Sequence, residues 1–461
     1  MAWLKKIAPK VEQKREPLPG AFFWLSAFYI VYCARPEDWI PGLKYLPLAK
    51  ITSVCALAAL VFSIGRAKRS LRNLPREGRY LIALVCFLVL TSFFSPVWRG
   101  GALVSSLDFA KVAVVWVLTF LVITNFKRLR QIIFVQTASV AVIAIISVAR
   151  GRNTPRLVGV LGGNYSNSND LAFAIVLSLP FCLAFLLQGR GPARKMMWTA
   201  AMLVMAFAVF LTASRAGFIE LAITTSFCLW HFGIKGKRPL LIVASFFVGA
   251  VLLLGVGGKL MNRFSAISGH SQIEQAAYGS YQERRQLMIS SLQAMARYPV
   301  FGIGVHNFVS YSGIWKEVHN CYLQIGAEGG IPALALYLLF FSRAFANLRR
   351  LRRLDLDVEM RLFVLALHSS LVGFIVGALF APEAYQYFSY FAAAQTSVIF
   401  AMVQEKDPET CSSAMPRTLL TFRHSTEPFA VAMPLRRPHH QLVSLASKST
   451  NPKSLQRLWR A

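Results

Sequence analysis

Three side chains in this sequence are suited to chemistry by type and by position. His319 closes a polar, glycine-rich stretch that begins at Tyr298, and the chain then runs unbroken into the apolar segment that ends near Leu339. An imidazole with an ordinary pKa near 6.5 can accept a proton at neutral pH. Arg215 occupies a turn of two or three residues between two apolar runs. A guanidinium there is costly unless it is paired, lines a wet cavity or snorkels to the interface. Arg284 belongs to SYQERRQLMISSLQAMARYP (residues 280–299), in which Met288, Leu292 and Met295 recur at helical spacing. Arg284 continues that row one turn earlier, so it is expected on the docking face, with Arg285 rotated away. A docked arginine beside a membrane-anchored anion makes a bidentate phosphate ligand. A helix lying flat on headgroups is the competing reading of the same pattern. Taken singly, each of these residues also has an ordinary structural explanation.

The elements that must position them are membrane helices. Of 461 residues, 55% are hydrophobic and only 15% charged, whereas soluble domains carry about 25% charged residues. Apolar runs of about 20 residues, enough for a hydrocarbon core about 30 Å thick, recur along the chain. They predict an all-α polytopic membrane protein with about twelve transmembrane helices. The spans are expected near 21–34, 48–65, 80–96 and 106–125, in a fifth ending near Val148, and near 171–188, 196–213, 216–233, 239–257, 320–342, 362–380 and 387–403. Residues 1–20 form an N-terminal segment, 21–403 the membrane domain with one large polar loop at 258–318, and 404–461 a basic, Pro-broken tail read as disordered.

Charge sets the expected orientation. Residues 1–20 and the loops on the same side carry 26 Lys and Arg, against 9 on the opposite side outside the large loop. The positive-inside rule therefore puts both termini in the cytoplasm and the 258–318 loop outside. The same rule, with membrane lipids as partners, accounts for the net charge of +30 without nucleic acid. The outer face then gathers Arg150, Arg152, Arg156, Asn164, Asn167, Asn169, Arg215, Arg284, Arg285, His306, His319 and Asn320. The seven cysteines show no CxxC spacing, which points to neither a disulfide framework nor a thiolate metal site. His306 and His319 have no third ligand at useful spacing, and no Walker motif is present. No metal and no cofactor are expected.

These motifs, taken together, resemble the O-antigen ligase and polymerase superfamily. The resemblance rests on Gly302-x-Gly304 with Phe308, on His319, Asn320, Tyr322, Leu323 and Gln324, and on Glu328 and Gly329 at the mouth of a helix. SRAG (Ser214 to Gly217) is similar to the family's arginine turn, Arg284 lies at the expected distance before Pro299, and the similarity covers roughly residues 150–400. It implies a GT-C-type glycosyltransferase fold and a metal-independent, inverting transfer. The implied donor is a glycan on undecaprenyl pyrophosphate, presented at the periplasmic face of the inner membrane. Its acceptor would be lipid A core, a growing glycan or a protein. Arg215 and Arg284 would neutralise the leaving group and His319 would activate the acceptor hydroxyl. Asn320, Arg285, Asn167, Asn169 and Gly304 are the expected substrate-binding residues. A small-anion transporter, for instance of bicarbonate, is the alternative.

Overall fold

The computed structural model describes residues 17–151, 156–159, 165, 167–265 and 272–406, apart from the side chains of 256–257, 259–265 and 272–281. Residues 1–16, Arg152, Asn164 and the tail beyond 406 lie outside the described residues. Among the described residues there is helix and no strand.

Every apolar run anticipated from the sequence forms a helix. These are α1 (Pro19–Ala34), α3 (Leu48–Phe62), α4 (Arg76–Ser92), α5 (Arg99–Val122), α6 (Phe126–Gly151), α7 (Ser168–Gln188), α8 (Pro192–Leu211), α9 (Arg215–Cys228), α10 (Pro239–Ser265), α13 (Cys321–Leu351), α14 (Val358–Gly377) and α15 (Tyr387–Lys406). The short α2 (Pro36–Trp39) and α12 (Phe308–Tyr311) sit in connections, and α9 continues as a π-helical turn over Leu229–Ile234. Among the described residues, seven helices are long and apolar enough to cross a bilayer: α5, α6, α7, α8, α9 with its π turn, α13 and α14. Helices α1, α3 and the first part of α10 are apolar but shorter.

The stretch 258–318, expected as a polar loop, is largely helical. Helix α10 runs on to Ser265, and α11 (Gln272–Arg297) follows. Helix α11 docks on α13 over a small second core of Leu287, Ala294, Ile303, Phe308, Val318 and Ala327. Its docked face is Leu287, Ser291 and Ala294, each at most 1% exposed, while Met288 and Leu292 are about half exposed. The expected stripe is thus displaced around the helix by one residue. Apolar side chains on such a helix need not face protein, so hydrophobicity alone misplaces the contact.

Helices α7 and α15 form the centre of the main core and are buried on nearly all sides. Polar contacts tie neighbouring helices together where no water can serve. Glu77 accepts from Asn347 and Ser397, each at 2.7 Å, and Gln395 donates to Gln136 at 2.7 Å.

One junction explains much of the sequence between 298 and 332. Pro332 has no N–H, so the carbonyl of Glu328 lacks its helical donor. Gly330 adopts φ 78° and ψ 177°, which breaks α13 there and turns Ile331 N–H away to the Pro299 carbonyl at 2.8 Å. The carbonyls thus released are taken by the glycine-rich segment: Ile303 N–H donates to Ala327 O at 3.0 Å and Gly304 N–H to Glu328 O at 2.8 Å. Gly302 and Gly330 both have positive φ, and a Cβ on either would collide with backbone of the facing segment. The two glycine motifs are two halves of one latch.

Candidate active site

His319 is held between a buried anchor and a helix cap. Val318 belongs to the small core at 2% exposure. Asn320 caps α13, its Oδ1 accepting from the N–H groups of Tyr322 and Leu323 at 3.0 Å each. This satisfies two of the orphan donors at a helix start. Asn320 Nδ2 donates to Leu379 O at 3.3 Å, and Cys321 N–H donates to Ala378 O at 2.8 Å. The loop after α14 therefore braces the start of α13, and the imidazole between these fixed points has little freedom.

His319 lines a cavity of about 200 Å³ together with Arg284 and Leu287 of α11, Asn167 and Asn169 at the start of α7, Arg156, Lys316 and Glu283. Arg284 is on this wall because α11 buries the adjacent Leu287. Lys316 and Glu283 form an ion pair at 2.6 Å across the rim. His319 Nδ1 is buried and has no hydrogen-bond partner among the described residues. Burial pushes the imidazole pKa down to about 4, and the positive charge of Arg284 adds to the effect. His319 is therefore neutral at physiological pH, the form a proton acceptor needs.

Asn169 links the cavity to the arginine turn. Its Oδ1 accepts from Ser214 Oγ at 2.7 Å and lies 3.4 Å from Arg156 Nη2. Ser214 in turn caps α9 by accepting from Gly217 N–H at 3.0 Å. Asn167 caps α7, its Oδ1 accepting from Asn169 N–H at 3.1 Å.

The structure distributes the anticipated site residues unevenly. His319, Arg284, Asn167 and Asn169 share the cavity wall. Arg215 is half-buried at the first turn of α9, next to Ser214, and does not line the cavity. Arg285 is exposed and turned away from it. Asn320 serves as a cap. Gly304, with φ 93°, serves packing: a Cβ there would press on Ala102, Ser95 and Asn307.

Other polar residues, Arg156 and His306 of the expected outer face among them, acquire their partners only in three dimensions. Arg156 lines the cavity, although its sequence context is merely a polar loop. Glu383, in the short connection between α14 and α15, is 5% exposed. Burial pushes its carboxyl well above the usual carboxylate range, and the neighbouring Asp170 adds to this. His306 pairs with Glu317 at 3.3 Å, which holds its imidazole above the ordinary value. Tyr385 donates to the buried Glu328 at 2.7 Å. Among the described residues, no three of His, Cys, Asp and Glu gather as a metal-ligand set.

A helical membrane bundle with a cationic cavity and a half-buried neutral histidine at one end is the class of protein defined here. Residues 200–338 match the family model described as O-antigen ligase, which supports placing the chain in the O-antigen ligase and polymerase superfamily. The matched segment contains α9, α10, α11, the glycine latch and His319. No curated protein matches the chain.

Proposed function

We propose that this protein transfers a glycan from undecaprenyl pyrophosphate to an acceptor hydroxyl at the periplasmic face of the inner membrane, in a twelve-span topology with both termini cytoplasmic. The acceptor oxygen attacks the anomeric carbon from the side opposite the diphosphate. The C–O bond to the diphosphate breaks, its electron pair stays on the leaving oxygen, and the configuration inverts. His319 takes the hydroxyl proton. Arg284 in the cavity neutralises the charge that develops on the leaving group. No step of this sequence requires a metal. Lipid A core, a growing glycan and a protein all offer a suitable hydroxyl.

The observation that carries the reading is the meeting of His319 and Arg284 on one small cavity, from elements separated in sequence by the first half of the glycine latch. A proton acceptor next to an anion site is what this transfer demands. The test is complementation of a deletion strain, read by glycolipid analysis. The deletion should accumulate undecaprenyl-linked glycan, and wild type but neither His319→Ala nor Arg284→Ala should clear it. Full clearance by both variants would sink the assignment.

A further inference from the structure

The cavity needs a second cation to grip a diphosphate, and the structure offers a better one than Arg215. Lys316 is engaged with Glu283 at 2.6 Å, and Arg215 stands outside the wall. We infer that Arg156 and Arg284 are the paired cations that bind the diphosphate in this cavity, and that Asn169 positions Arg156. The inference rests on reading the cavity as the donor-diphosphate site and names a residue for it.

Arg156 is pre-set by its backbone neighbours. Leu157, 1% exposed, donates its N–H to Leu211 O at 3.0 Å, pinning this stretch to the end of α8. Arg156 Nε donates to the carbonyl of Thr212, the cap residue of α8, at 3.2 Å. Carbonyls at a helix C-terminus lack intrahelical donors and carry partial negative charge, so a guanidinium is well placed there. Asn169 Oδ1, 3.4 Å from Nη2, steadies the plane from a second direction. Arg284 approaches from α11, a separate element. Two guanidinium groups on different walls suit a two-phosphate anion, because each planar fork can take two oxygens of one phosphate. A single phosphate can engage both walls less well.

The test is calorimetry with inorganic pyrophosphate and, separately, inorganic phosphate on the full-length protein in detergent at fixed ionic strength. Wild type should prefer pyrophosphate. Losing one charge-assisted phosphate contact costs about tenfold to hundredfold in affinity. Arg156→Gln and Arg284→Gln should each weaken pyrophosphate binding by about that factor and erase the preference over phosphate. Asn169→Ala should produce a smaller loss in the same direction. Arg285→Gln, which removes an equal charge one residue from Arg284, should stay within about twofold, as expected for an exposed charge. Helical circular dichroism checks the fold, and Arg156→Lys provides the comparison if Arg156→Gln does not fold, with a partial loss expected. The inference is overturned if wild type binds no pyrophosphate, if the folded Arg156 variant binds it as wild type does, or if Arg285→Gln weakens it as much. A transfer assay with lipid-linked donor separates this from the functional reading. Absence of transfer by wild type, with the Arg156 effect intact, would remove the transferase reading and leave the cation pair standing.

Discussion

Arginine side chains behave differently at the two ends of the bundle. At the end where α5 finishes and α6 and α14 begin, Arg69 donates to the carbonyls of Phe120 and Ile123 at 2.9 Å each and to Glu405 at 2.7 Å. Arg128 there donates to the carbonyls of Pro17 and Val122, and Arg130 pairs with Glu359. These contacts tie loops and helix ends into one frame. At the other end, Arg156 touches a carbonyl and an amide, Arg284 shares its wall with a neutral imidazole, and both face a cavity. The same residue type closes the frame at one end and lines a cavity at the other. What distinguishes them is position: Arg69 and Arg130 are bound to carboxylates that join helix ends, whereas Arg156 and Arg284 come from separate elements to one cavity wall.

This contrast can be broken most sharply at the cavity. His319→Ala should lower glycan transfer by about 10²- to 10⁴-fold, the usual value of a positioned proton acceptor, with little change in thermal unfolding. Activity near wild type would show that the imidazole does not take the proton.

At the opposite end the effect should fall on stability instead. Arg69→Ala leaves two buried carbonyls without a donor, a loss of about 2–4 kcal/mol. It should appear as earlier unfolding in a denaturant titration, with turnover per folded molecule retained. A variant that unfolds normally but turns over slowly would erase the distinction between the two ends.

The latch joins the two roles. Gly330→Ala forces a side chain into positive φ and against the facing backbone, at about 1–3 kcal/mol, and should reduce both stability and transfer. A change in neither would mean the glycine segment is free to relax.

Acid dependence gives a subtler probe. Transfer requires neutral His319, so kcat/KM should fall as pH drops through its pKa of about 4. Arg284→Gln removes part of the positive field and should move this limb upward, toward 6.5. A bound diphosphate should act in the same direction on the limb seen in kcat. Identical pH profiles for wild type and Arg284→Gln would argue that the two groups do not sense each other.

The smallest effect concerns stability against pH, where the two histidines should oppose one another. His319 is depressed on folding, so its contribution is intact above 6.5 and declines as pH falls toward 4. His306 is raised by Glu317, so its contribution is intact below 6.5 and is lost as pH rises through its folded value. Glu317→Gln should flatten the second trend in melting temperature and, because Glu317 also raises the His319 imidazole, leave the first at least as steep. Persistence of both slopes in that variant would remove Glu317 as the cause.

Much of this was legible in the sequence, and for local reasons. Helix positions follow from apolar run length and from Pro and Gly punctuation, which act over a few residues. Arg284 could be placed on a docked face because helical periodicity is local as well. The sequence also marked His319, as a titratable group at a helix mouth. Tertiary structure alone decided which apolar side of α11 docks, since both Met288 and Leu287 are hydrophobic and only the partner surface chooses between them. It decided that Asn320 and Gly304 serve capping and packing, because those duties depend on carbonyls and side chains far along the chain. And it brought Arg156, rather than Arg215, to the cavity wall beside His319. That placement runs through Thr212 and Asn169, contacts across 56 and 13 residues that no local pattern encodes.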